Sequence, residues 1–162
     1  MKRINALRKT AFEKNGFRGY LIFNGPNMLY FLGFGGAAAL FVPYEGECTV
    51  YVYGVNYEQA KAQGKGFNVQ LLRNNDNVMA KLAVQANDCR IDRLLADALS
   101  FQSWRSLTKE LGESKVEVNG SFIQELRAVK DRNEIQSMRR AGELTSRGME
   151  AAFESVKVGT SE

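Results

Sequence analysis

Six short runs of apolar, β-branched or aromatic residues are spaced along the chain, and helix-forming windows separate most of them. The runs are "RGYLIF" (18–23), "AAALFVP" (37–43), "CTVYVYG" (48–54), "FNVQLL" (67–72), a stretch around Arg93 to Asp97, and "KVEV" (115–118). Several are apolar at successive positions rather than at every second one, so both faces of such strands need cover. Helical windows between strands supply that cover and allow parallel neighbours, while the "YEGE" turn between the second and third runs predicts a hairpin. The fold class that follows is α/β: a mixed sheet of about six strands with helices on both faces, followed by a long C-terminal linker helix.

Local signals place the helices. Ile4, Leu7, Ala11 and Phe12 stand near helical spacing, with Asn15-Gly16 as the stop. "VNYEQAKAQ" is closed by Gly64 and Gly66, and "DNVMAKLAVQ" has Asp76 as its expected N-cap. "CRIDRLLADA" is compatible with helix or strand, and a strand is favoured at its second half. "SFQSWRSLTKEL" is predicted as a helix capped by Ser100 and stopped by Gly112, with Trp104, Leu107 and Leu111 as its core stripe. "NGPN" and the "GFGG" at Gly33–Gly36 are expected to be turn and backbone bend.

The tail differs in kind. Asp131 with Glu134 forms a capping-box pattern. Beyond it Ile135, Met138, Ala141, Leu144, Gly148, Met149, Ala152, Phe153 and Val156 recur at three- and four-residue steps. A helix of ~25 residues spans ~37 Å, more than a small domain comfortably covers. "GTSE" after it has the N-cap and acidic residues of another helix start, and the expectation is that a second domain continues from there.

Composition bounds the chemistry. With no histidine, Ser-His and Cys-His catalysis and imidazole metal sites are excluded from these residues. Cys48 and Cys89 fall in no metal-binding spacing and are expected to be buried thiols. "GFGG" completes neither GxGxxG nor GxxxxGK[ST], because Ala38 and Ala39 occupy the downstream positions. Asp88, Asp92 and Asp97 do not align as a metal cluster and are expected to be solvated loop carboxylates; Tyr51 and Tyr53 are expected to pack on the sheet. No catalytic residue and no metal ligand set is predicted. A net charge of +4 is mild and scattered, which argues against nucleic acid, although a free-standing interaction or nucleic-acid-binding module is the competing class. No run is long and apolar enough for a membrane span, and no secretory leader is read at "MKRINALRKTAF", so no membrane partner and a cytoplasmic setting are expected.

Three stretches together resemble one family. "GPNMLYFLGF" resembles its N-x-x-Y-x-x-G-F turn at Asn27, Tyr30, Gly33 and Phe34. "RLLADALSFQSWRSL" is similar to its strand–Asp–Leu-Ser–helix segment. "ELRAVKDRNEIQSMRRAGELTSRGMEAAFESVKVGTSE" resembles its domain junction at Arg127, Lys130, Glu134 and Ile135. The family is that of the creatinase, prolidase and aminopeptidase P "pita-bread" metallopeptidases.

The resemblance implies a two-domain parent. Residues 1–126 would be the N-terminal domain, ribonuclease-H-like in shape, and 127–162 the junction and first helix of the catalytic domain. That missing domain would hold two divalent metal ions (manganese, cobalt or zinc) through two Asp, one His and two Glu; this chain would hold none. The N-terminal domain would serve dimer assembly and gate the neighbouring subunit's active site, with Asn27, Tyr30, Gly33 and Phe34 on a substrate lip acting in trans. Its partners would be its own C-terminal domain, a second copy, and short proline-containing peptides. Leu29 stands where aminopeptidase P members carry a large aromatic, and Gly35, Gly36 and Ala37 where creatinase-like members carry an Arg. These departures disfavour creatine; the shortness of the N-terminal domain is what favours an Xaa-Pro dipeptidase or short aminopeptidase P as the parent, with a domain of an inactive homologue as an alternative.

Overall fold

The structure, a computed structural model, describes residues 2–159; the helix-start signal at 160–162 lies outside the described residues. The chain divides into two compact units between Arg127 and Ala128.

In the first unit, α1 (Lys2–Leu7) passes directly into a π-helical turn, Arg8–Glu13. The widened turn coincides with Arg8, whose guanidinium reaches across to the carbonyls of Pro43 and Gly46 at 3.0 and 2.7 Å. Then follow β1 (Gly19–Ile22), α2 (Gly25–Leu32), β2 (Ala39–Pro43), β3 (Thr49–Tyr53), α3 (Gly54–Gln63) and β4 (Asn68–Leu72). After them come α4 (Val78–Asp88), β5 (Leu94–Ala96), α5 (Phe101–Leu111), β6 (Val116–Val118) and α6 (Ser121–Ala128). The six strands form one sheet in the order β4-β3-β2-β1-β5-β6. β2 runs antiparallel to both neighbours, whereas β3–β4, β1–β5 and β5–β6 pair in parallel.

The apolar runs divide by alternation between two cores. Tyr20, Ile22, Leu40, Val42, Val50, Val52 and Leu95 face the side covered by Ile4 and Leu7 of α1, Met28, Phe31 and Leu32 of α2, Ala60 of α3 and Ile123 of α6. Leu21, Phe41, Tyr51, Leu72, Leu94 and Ala96 face α4 (Leu82, Ala83, Ala86) and α5 (Leu107, Leu111). Burial on both faces is why the central strands read as continuous apolar runs.

Several local expectations need correction. The "GPNMLYFL" stretch is a helix, not a turn, because Asn24 caps it and Pro26 sits in its first turn, where a missing N–H is harmless. α4 is capped by Asn77, and Asp76 instead accepts the Arg73 N–H. Cys48 is buried as expected, but Cys89 is exposed at the end of α4. Tyr51 is buried, and Tyr53 at the strand end is 40% exposed.

The second unit holds α7, Arg132–Ser155, 24 residues long and opened by the expected capping box of Asp131 and Glu134. None of its residues is buried, and Met138, Leu144, Met149 and Phe153 are all exposed. No helix among the described residues is long and apolar enough to cross a membrane.

Candidate functional site

β1 and β5 run parallel, so their C-terminal ends lie side by side, and the chain leaves one as Phe23-Asn24 and the other as Asp97. The Asp97 N–H still donates to the Leu21 carbonyl, which continues the ladder and aims the carboxylate past the strand end. There it accepts the Phe23 N–H at 2.8 Å, the Asn24 N–H at 3.2 Å and Nδ2 of Asn27 at 2.8 Å. Asn27 is 5% exposed. Its Oδ1 accepts Nη1 of Arg127, on the last turn of α6, at 2.6 Å. Asn27, Asp97 and Arg127 come from the three separate stretches that carried the family resemblance, and they meet in one hydrogen-bonded strut.

The rest of the N-x-x-Y-x-x-G-F pattern surrounds the strut. Tyr30, half-buried, lies under the Arg3 guanidinium at 4.2 Å, and its hydroxyl donates to the Leu126 carbonyl at 3.4 Å. Gly33 ends α2 in the left-handed region (φ 78°), with its N–H on the Leu29 carbonyl, and Phe34 drops into the core. Gly36 is also left-handed (φ 96°); its carbonyl accepts Nδ2 of Asn56 at 2.9 Å, and an added Cβ would lie 2.6 Å from that nitrogen. Leu29, Gly33, Gly35 and Gly36 are the exposed members of the segment. In the second unit Lys130 Nζ donates to the Ala128 carbonyl, Glu134 completes the α7 cap, and Ile135 is exposed.

Asp97 is the member of the strut that sequence reasoning placed wrongly, as a solvated loop carboxylate. Its position directly after a parallel strand was the available signal, since groups at that end of an α/β sheet converge. Tyr20 lies beneath, its hydroxyl donating to the Asn119 carbonyl. Burial, reinforced by the charge of Asp97, pushes its phenol well above the ordinary range.

This arrangement can hold backbone and side chains in place, but it contains no nucleophile paired with a base. Among the described residues no group of three His, Cys, Asp or Glu is disposed to hold a metal ion, and the residues present do not fit a two-metal centre. A cleft of about 430 Å3 at the opposite end of the sheet is lined by Arg18, Tyr44, Glu45, Arg90 and Asp92, mixed in charge and largely open to water.

Known proteins agree with this architecture. The uncharacterized peptidase YqhT of Bacillus subtilis is 24% identical over 157 residues, 95% of this chain and 44% of that protein. The solved Xaa-Pro dipeptidase from Bacillus anthracis superposes with a TM-score of 0.85 at 22% identity, over 100% of this chain and 45% of that one. The chain therefore spans under half the length of either. The N-terminal domain of the cytoplasmic peptidase PepQ from Mycobacterium tuberculosis superposes with a TM-score of 0.68 at 21% identity, over 77% of this chain and 98% of that domain. The family described as Creatinase/Prolidase N-terminal domain matches residues 3–129. With that match across most of the first unit and the start of the second, the chain belongs to the creatinase/prolidase N-terminal domain family.

Proposed function

We propose that this chain serves as the non-catalytic N-terminal part of an Xaa-Pro peptidase, a dipeptidase or short aminopeptidase, whose metal ions and catalytic groups reside in other residues. The observation that carries the reading is that the whole chain superposes on 45% of an Xaa-Pro dipeptidase, while this sequence has no histidine. In this reading residues 1–126 form the N-terminal domain and 127–162 the junction and first helix of the catalytic domain. Two copies pair, and the α2 end with its glycine-rich loop leans over the partner's active site. Support for the lip comes from the exposed Leu29 and the exposed glycines, held on a buried base of Asn27 and Phe34. A left-handed Gly33 and the Asn56 latch on Gly36 fix the loop's path. The catalytic domain, a second copy and short proline-containing peptides are the partners, and the setting is cytoplasmic.

The test is direct. The purified 162-residue chain, given Xaa-Pro dipeptides and tripeptides with Mn2+, Co2+ or Zn2+, should show no hydrolysis and no calorimetric metal binding. Metal-stimulated cleavage would overturn the reading, and sedimentation of this chain as a monomer at all concentrations would remove its pairing element.

A further inference from the structure

We propose that Asp97, Asn27 and Arg127 form a directional relay, in which Asp97 sets the Asn27 amide and that amide sets Arg127, so that the start of α2 and the end of α6 move as one. The inference stands apart from any peptidase role.

The chemistry of the three groups gives the relay its direction. A carboxylate only accepts and a guanidinium only donates, whereas an asparagine amide does one at each end. Asp97 therefore admits only Nδ2, at 2.8 Å, and Arg127 admits only Oδ1, at 2.6 Å. Reversing the amide would set acceptor against acceptor and donor against donor. With Asn27 buried, water cannot make good either loss.

The amide also does what a direct Asp–Arg pair could not. Asp97 is already engaged by the Phe23 and Asn24 N–H groups, which fix the carboxylate to the end of β1. The amide hands that fixed position on to Arg127, 30 residues further along the chain. α2 is bound to the relay twice over, because the Asn27 backbone N–H donates to the Asn24 side chain that caps the helix. One turn further along the same face of α2 the Tyr30 hydroxyl reaches Leu126, the residue before Arg127. Two independent contacts thus tie the same two segments, and only the first has a polarity that substitution can reverse.

Amide hydrogen exchange on this chain, read by NMR, tests the proposal. Asn27→Asp keeps an acceptor for Arg127 but puts a carboxylate against Asp97. The expected result is at least tenfold faster exchange at Asn24 and Met28 and, together with them, at Leu126 and Arg127, while Leu40 and Val50 in the sheet are unchanged. The double exchange Asn27→Asp with Asp97→Asn restores the alternation of donor and acceptor. It should return both segments to within about threefold of the parent. A response confined to one segment, or a double variant no better than Asn27→Asp alone, overturns the relay. If Asn27→Asp does not fold, the double variant must; its failure to fold overturns the relay as well. Arg127→Gln, which leaves Asp97 and the cap untouched, should still speed exchange at Asn24 and Met28 by at least threefold, and no change there is equally fatal.

Discussion

Both α2 and α7 begin with an Asx side chain that accepts the backbone N–H three residues on, Asn24 for Asn27 and Asp131 for Glu134. Yet α2 buries four of its eight residues, and α7 buries none of its 24. An eight-residue helix is far too short to persist by itself in water, so α2 exists because Met28, Phe31 and Leu32 enter a core and Asn27 enters the strut. α7 is long, reciprocally capped and rich in good helix formers, so its conformation is carried within its own sequence. Caps of the same Asx type thus sit on unequal foundations, one tertiary and one local, and matched substitutions should separate them.

Matched phenylalanines give the largest contrast. Phe31→Ala removes a ring from the larger core and should destabilise the chain by about 3–5 kcal/mol in urea titration. Phe153→Ala, at a side chain 73% exposed, should change stability by less than about 0.5 kcal/mol. Equal losses would show that α7 depends on packing after all.

An alkaline titration comes next. Burial pushes the Cys48 thiol up to about 11, against the opposing pull of Arg8, and burial pushes the Tyr51 phenol up to about 12. A raised value in the folded state means that the unfolded chain loses its proton first. Stability should therefore be intact below pH ~8.5 and fall as pH climbs towards 11, by roughly 2–3 kcal/mol for the thiol. α7 contains neither cysteine nor tyrosine. Cys89, exposed, should react with a maleimide in the folded chain, while Cys48 reacts only on unfolding.

Glycine-to-alanine changes should differ in sign. Gly33→Ala forces a Cβ into the left-handed region and should destabilise by roughly 1–2 kcal/mol. Gly148→Ala, mid-helix with open space around it, should raise helicity and contribute about 0.5–1 kcal/mol to α7. Loss at both positions would contradict the account of α7. The smallest effect is expected from Asp131→Ala, which should fray the first turn of α7 at about 1 kcal/mol and leave the urea midpoint of the sheet unmoved.

The same division explains what could be read from the sequence. α7 and its cap, α5 with Ser100 and Gly112, and the Tyr44–Glu47 hairpin were legible because their determinants lie within a few residues of one another. α2 was read as a turn because Gly25-Pro26 and Gly33-Phe34 punctuate it, and nothing local reports that Phe31 and Leu32 have a core to enter. α6 went unread for a like reason, with Ile123 its one buried residue. The strut was least accessible. Each of its residues sat in a stretch that resembled the family, but the Asn27–Asp97 bond closes across 70 residues and the Asn27–Arg127 bond across 100. Local rules do not reach that far, and Asp97 therefore looked like one of three scattered carboxylates.

The strand order has a consequence for the nascent chain. β1 is central, paired with β2 on one edge and β5 on the other, and all four of its residues are buried. As the chain is synthesised, β2, β3 and β4 arrive by Leu72, but the second partner of β1 begins only at Leu94. At ~5–20 residues per second, that edge stands open for roughly one to four seconds after β4 is complete. During that interval an apolar strand presents unpaired backbone groups to whatever is nearby, which is the setting for mispairing between neighbouring chains. α4, emerging in that gap and destined for the Leu21 face, covers side chains of that face, while the backbone edge itself is closed only by β5.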